Sequence, residues 1–131
     1  MLPVVVTTHT LFCLKTPLDE EGQHVLCGLF NSFVANYLVR LRVTTHVTVA
    51  IIERLPLPYL QRHDRRFAQL ASLARRLSEK PGDREIAASL QALAAHVYGL
   101  TAREFEHVLT TFPLVDRADR ERALQVFVDT L

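Results

Sequence analysis

The chain has 131 residues, 49% of them apolar and 22% charged, with a formal net charge of +1. A chain of that length buries roughly two-thirds of its unfolded surface in one domain; the composition is too apolar and too evenly charged for disorder, and the net charge excludes a globally polybasic binder. No apolar run approaches the ~20 residues of a membrane span, and the opening MLPVVVTTHTLFCLK has neither the basic start nor the long apolar run of an export signal.

Residues 4–14 are dense in β-branched side chains and predict one extended strand, or a short hairpin bending near Thr8 and His9. Starting on a core-like strand predicts a piece cut from a longer polypeptide. Its β-branched edge also offers unpaired N–H and C=O groups, so a homodimer built by edge pairing or by packing apolar faces is expected. Thr16-Pro17 then supplies a cap and a first-turn proline, with Asp19, Glu20 and Glu21 where the helix dipole favours anions. One long helix is expected from here to about Arg42. Its apolar stripe is Val25/Leu26, Leu29/Phe30, Phe33/Val34, Tyr37/Leu38 and Leu41. Gly28, Asn31, Ser32, Ala35 and Arg42 fall on the other side, where small residues admit a neighbouring backbone and polar ones meet water or bond to backbone.

From Val43 the period changes to two. Val43, Thr45, Val47, Val49 and Ile51 share one face, and Thr44, His46, Thr48 and Ala50 the other, which predicts a half-buried strand over residues 45–52. Pro56 and Pro58 end it. Beyond them, Phe67, Leu70, Leu73, Ala74 and Leu77 predict a helix over residues 65–78, closed by Pro81-Gly82-Asp83. Asp83 caps a second helix with the stripe Ile86, Leu90, Leu93, Ala94 and Val97 and Gly99 past its end, the two forming an antiparallel hairpin. Thr101 and Glu104 make a capping box ahead of Phe105, Val108, Leu109 and Phe112. Asp116 caps a last helix through Leu124, Phe127 and Val128. The sum is an α+β fold in a single domain: an N-terminal β-α-β unit (residues 1–58) with parallel strands, one long helix and a right-handed crossover, then a cluster of about four helices (residues 59–131).

The basic residues are thirteen Arg and two Lys, and residues 40–66 hold six arginines against Glu53 and Asp64, a local surplus of +4. Arginine suits bidentate contacts to phosphate and guanine. Arg40 and Arg42 precede Thr44, His46 and Thr48 on one strand face, so the helix-to-strand junction offers donors to phosphate or base edges, with Arg54 a further candidate and Arg62, Arg65 and Arg66 an alternative face. The other reading of that strand face is simply solvated sheet. His9, His24, His63, His96 and His107 lack metal-ligand spacing and read as surface or capping residues. Cys13 and Cys27 form no CxxC or Cys/His pattern and read as buried reduced thiols, hence a cytoplasmic protein. No glycine-rich cofactor loop and no polar-Pro-Pro-aromatic loop of the kind that holds a flipped base is present, LPLPY at residues 55–59 lacking the polar acceptor, and the acids at residues 19–21 read as a helix start rather than a nuclease metal site.

The run LCGLFNSFVANYLVRLR, followed by THVTV and LPLP, resembles the C-terminal region of large TaqI-like adenine-specific DNA methyltransferases, including fused restriction-modification enzymes. HVYGLTAREFEHVLTTFPLV is similar to a segment near the end of such enzymes, and the resemblance is weakest over residues 61–91. It implies a DNA target-recognition segment without catalytic motifs or cofactor of its own. The parent enzyme would use S-adenosylmethionine and could carry an endonuclease; the partners would be DNA and the rest of that enzyme. A structural module that braces the enzyme's other domains or mediates assembly is the alternative.

Overall fold

Six helices carry the fold in the computed structural model, which describes residues 4–6, 12–14, 19–41, 58 and 60–130. Two strands of three residues each, β1 (Val4–Val6) and β2 (Phe12–Leu14), precede them and pair antiparallel, Val5 opposite Cys13. The helices are α1 (Glu20–Phe30), α2 (Phe33–Arg40), α3 (Arg65–Glu79), α4 (Arg84–Val97), α5 (Ala102–Thr110) and α6 (Arg117–Asp129).

This overturns the expected α+β fold with its β-α-β unit. Both described strands lie before the first helix and run antiparallel, so no crossover joins them. The period-two segment over residues 45–52 lies outside the described residues, as do Thr16 and Pro17. Of the two readings of the N-terminal β-branched run, the paired one fits the described residues, Val4–Val6 running antiparallel to Phe12–Leu14.

The single long helix is corrected as well. It is two helices, broken at Asn31-Ser32, because Ser32 offers the backbone an alternative to the helical ladder. The Ser32 hydroxyl donates to the Leu29 carbonyl at 2.6 Å and accepts the Ala35 N–H at 3.1 Å, capping α2 while wholly buried. Asn31 closes α1 by donating its side-chain amide to the Cys27 carbonyl at 2.7 Å. The start of α1 is set by Asp19, whose carboxylate accepts the Gly22 N–H at 3.0 Å.

Local signals elsewhere place the helix ends where the sequence puts them. Asp64, Asp83 and Asp116 cap α3, α4 and α6, and Thr101 with Glu104 forms a reciprocal capping box on α5. Gly99 adopts φ +76°, which lets the Leu100 N–H reach back to the Ala95 carbonyl and its own N–H to His96, a glycine-terminated stop for α4.

Helix α4 is the central element, with α3 and α1 on one flank and α6, α5 and α2 on the other. Leu90 and Ala94 join Val25, Leu29, Phe67 and Leu70 in the first core cluster. Ala92 and Ala95 join Val34, Phe105, Leu109, Ala123 and Phe127 in the second. The alanines matter because α4 is buried on two sides, and short side chains let both flanks close in. Gly28 does the same for α1: a Cβ there would lie 3.2 Å from Leu90 Cδ1 and 3.3 Å from Ala74 Cβ. The small-residue side of the N-terminal helix is the one that admits a neighbouring backbone, buried at Gly28, Ser32 and Ala35, while Leu41 of the apolar stripe is 65% exposed. No helix among the described residues is long and apolar enough to cross a membrane.

Candidate nucleic-acid interface

Of the residues nominated at the helix-to-strand junction, Arg40 is the one whose surroundings are described; Arg42, Thr44, His46, Thr48 and Arg54 lie outside the described residues. Arg40 occupies the last turn of α2, where a cation favours the negative end of the helix dipole. Its Nη1 donates to the Thr111 carbonyl at 2.7 Å, just past the end of α5, and its guanidinium sits 4.1 Å from the centroid of the Phe112 ring. Phe112 is in turn packed on Phe33 at the start of α2, ring centroids 4.9 Å apart. Both ends of α2 thus clasp the turn after α5.

The direction of α2 is set from α4. The Gln91 side-chain oxygen accepts the Phe33 N–H at 2.7 Å, and its amide donates to the Asn31 carbonyl at 3.4 Å. Sequence reasoning does not nominate Gln91, and no local signal could, since its partners lie about sixty residues away and a lone Gln on a helix carries no pattern.

Several arginines expected to leave a basic surface are spent on neighbouring acids. Arg62 bonds Asp19, and Arg66 bonds Asp64 at 3.0 Å. The Arg62 hydrogen bond, followed by the Gly22 amide, holds the Asp19 carboxyl below its usual range; Arg66 does the same for Asp64. Arg84 lies between Asp119 at 2.7 Å and Asp116 at 2.8 Å, tying α4 to α6 and raising its own proton affinity, with Asp119 the larger cause. Arg65 and Arg76 are exposed and meet no carboxylate among the described residues.

Of the surface or capping role expected of it, His96 takes the capping one, bonding a last-turn carbonyl of α6. It is half-buried, stacked on Phe127 with ring centroids 4.0 Å apart. Its Nε2 is 3.0 Å from both the Phe127 carbonyl and the Thr130 hydroxyl. A carbonyl only accepts, so Nε2 carries the proton. Among the described residues no group of three His, Cys, Asp or Glu is placed to hold a metal ion.

No protein-family model, curated protein or solved structure matches this chain.

Proposed function

We propose that the chain is a DNA target-recognition segment of an adenine-specific DNA methyltransferase or restriction-modification enzyme, acting in the cytoplasm on DNA beside the rest of that enzyme. The resemblance of its two runs supports the family. The observation that carries the reading is the setting of Arg40. Its guanidinium is exposed, yet held by the Thr111 carbonyl and the Phe112 face, and it uses one of its five N–H donors among the described residues. A pre-oriented cation with donors to spare loses little side-chain entropy on meeting a phosphate. It stands directly before Arg42, Thr44, His46 and Thr48, the stretch nominated for contact. Methyl transfer, with S-adenosylmethionine, belongs to the parent enzyme in this reading.

In the alternative reading, a bracing module, Leu114 in the turn after α5, 100% exposed, would be covered by another domain or a second copy of the chain.

Salt-dependent binding to duplex DNA decides between the two. Replacing Arg40 and Arg42 by Gln should lower the slope of log K against log salt by about 0.9 for each phosphate that is no longer neutralised. Binding with no salt dependence, or a slope that Arg40→Gln/Arg42→Gln leaves unchanged, would remove the DNA contact from this junction.

A further inference from the structure

An open groove of about 900 Å³ runs between α3, α4 and the end of α6, on the far side of α4 from Gln91 and α2. Its α3 wall is a stripe. Arg65, Gln69, Ser72 and Arg76 follow one another at intervals of four, three and four residues, which places them on one face of the helix. The α4 wall presents Ser89, Leu93 and His96 at intervals of four and three, again one face, and Thr130 closes the end. Gln91 is two residues from both Ser89 and Leu93, about 200° around α4, so the groove and the Arg40 anchor stand on opposite faces of that helix.

The groove's own lining is one-sided in charge, while Ala68 and Ser72 are shared with an adjoining pocket that holds Asp19, Glu20 and Glu21. None of its lining residues is acidic. The carboxylates next in sequence to the lining are engaged, Asp64 with Arg66 and Asp129 with the Gln125 amide at 2.8 Å. Arg65 and Arg76 are left to face outward, eleven residues and so about 16 Å apart along α3, with polar side chains between them.

We infer that this groove seats the sugar-phosphate backbone of a DNA duplex, Arg65 and Arg76 each meeting a phosphate and Gln69, Ser72 and Ser89 supplying neutral donors between them. It is a second, sequence-independent contact, separate from the Arg40 junction. That the polyanion is DNA rests on the target-recognition reading; the position of the seat rests on the stripe and the missing acids.

The test is binding of the 131-residue chain to a fluorescent duplex of about 20 base pairs across a salt series from about 50 mM, with polyglutamate as a second labelled polyanion. Arg65→Gln/Arg76→Gln should reduce the salt slope by nearly two, and Gln69→Glu, which adds a like charge at the middle of the stripe, should weaken binding at low salt. Far-UV circular dichroism confirms that each variant is folded, and Gln69→Glu provides the test should the double variant fail it. If groove variants weaken duplex binding and Arg40→Gln does not, the seat stands and the Arg40 reading fails. If Arg40→Gln weakens it and the groove variants do not, the seat is overturned and the Arg40 reading stands. Binding of polyglutamate in preference to the duplex, or of neither, overturns the seat.

Discussion

The side-chain oxygen of Gln91 accepts the backbone N–H of Phe33 at 2.7 Å, joining residues 58 positions apart at the point where the N-terminal helix breaks. The first turn of a helix leaves its N–H groups without intrahelical partners, and α2 draws one of those partners from a different helix. The orientation of α2, and with it the position of Arg40, therefore depends on α4.

Gln91→Ala should destabilise the protein by about 1–3 kcal/mol, the cost of leaving a partly buried N–H unpaired. Gln91→Glu retains an acceptor oxygen and should lose less. Urea unfolding of the two variants checks this, and equal midpoints for Gln91→Ala and the native chain would mean that Ser32 alone holds the break.

Ser32→Ala should cost about 1–2 kcal/mol, because the hydroxyl is the cap of α2 and its loss also strips the Leu29 carbonyl of a donor in a fully buried site. The two changes act on one short network, so the Ser32→Ala/Gln91→Ala double variant should depart from additivity by about 0.5 kcal/mol or more. Strict additivity in a double-mutant cycle would show that the two caps work independently.

Gly28→Val should be among the more disruptive single changes. A Cβ alone would press on Leu90 Cδ1 and the Ala74 Cβ, and the latter cannot swing aside because it is fixed to the α3 backbone. Overpacking of this kind costs about 1–3 kcal/mol, and the thermal midpoint should fall accordingly. A midpoint at or above the native value would mean that α1 and α3 can separate without penalty.

Acid should weaken the fold below the ordinary aspartate value of 3.8. Asp116 is held below that value first by the Ala118 amide and then by Arg84, and Asp19 and Asp64 by Arg62 and Arg66. A carboxyl with a depressed folded pKa lends stability that is complete above its unfolded pKa and lost as pH falls through the folded one. The thermal midpoint should stay level on this account down to about pH 4 and decline below it, and Asp116→Asn should make the decline shallower.

The legible parts of this fold are those written in local chemistry. Asp83, Thr101 with Glu104, Gly99 and Asp116 act on residues within a turn of themselves, and the helix ends fall where they point. The N-terminal portion departs from its sequence pattern where a local cap at Ser32 is coupled to a distant partner, Gln91. The i, i+4 stripe through Leu29 and Phe33 continues across Asn31-Ser32 with no Gly or Pro to mark a break, and the Ser32 cap that makes the break is supported from Gln91. Residues 4–14 have strand composition in either form, and composition cannot distinguish one strand from two that pair. At the candidate interface the arginines are countable from the sequence but their pairing is not: Arg62 goes to Asp19, 43 residues away, whereas Arg65 meets no acid among the described residues. The Arg65, Gln69, Ser72, Arg76 stripe is present in the sequence, masked by the apolar stripe on the same helix.

Tyr98 packs against all three apolar clusters, at the point where α4 ends and its glycine stop begins. Burial disfavours the phenolate and pushes the phenol up to about 12 from an ordinary 10.0. The folded chain therefore keeps this proton in a range where the unfolded chain releases it. Stability contributed by the neutral phenol is complete below pH 10 and should drain away as pH rises toward 12. The chain has three tyrosines, so absorbance alone sums their ionisations. The difference between the alkaline titrations of the native chain and Tyr98→Phe isolates one phenol, and its midpoint should lie well above 10 while the protein remains folded. The same substitution keeps the ring in place and removes the ionising group, so it should flatten the loss of stability on the alkaline side. A difference midpoint at the ordinary phenol value would mean that water reaches the hydroxyl, and that the three clusters do not close over the end of α4.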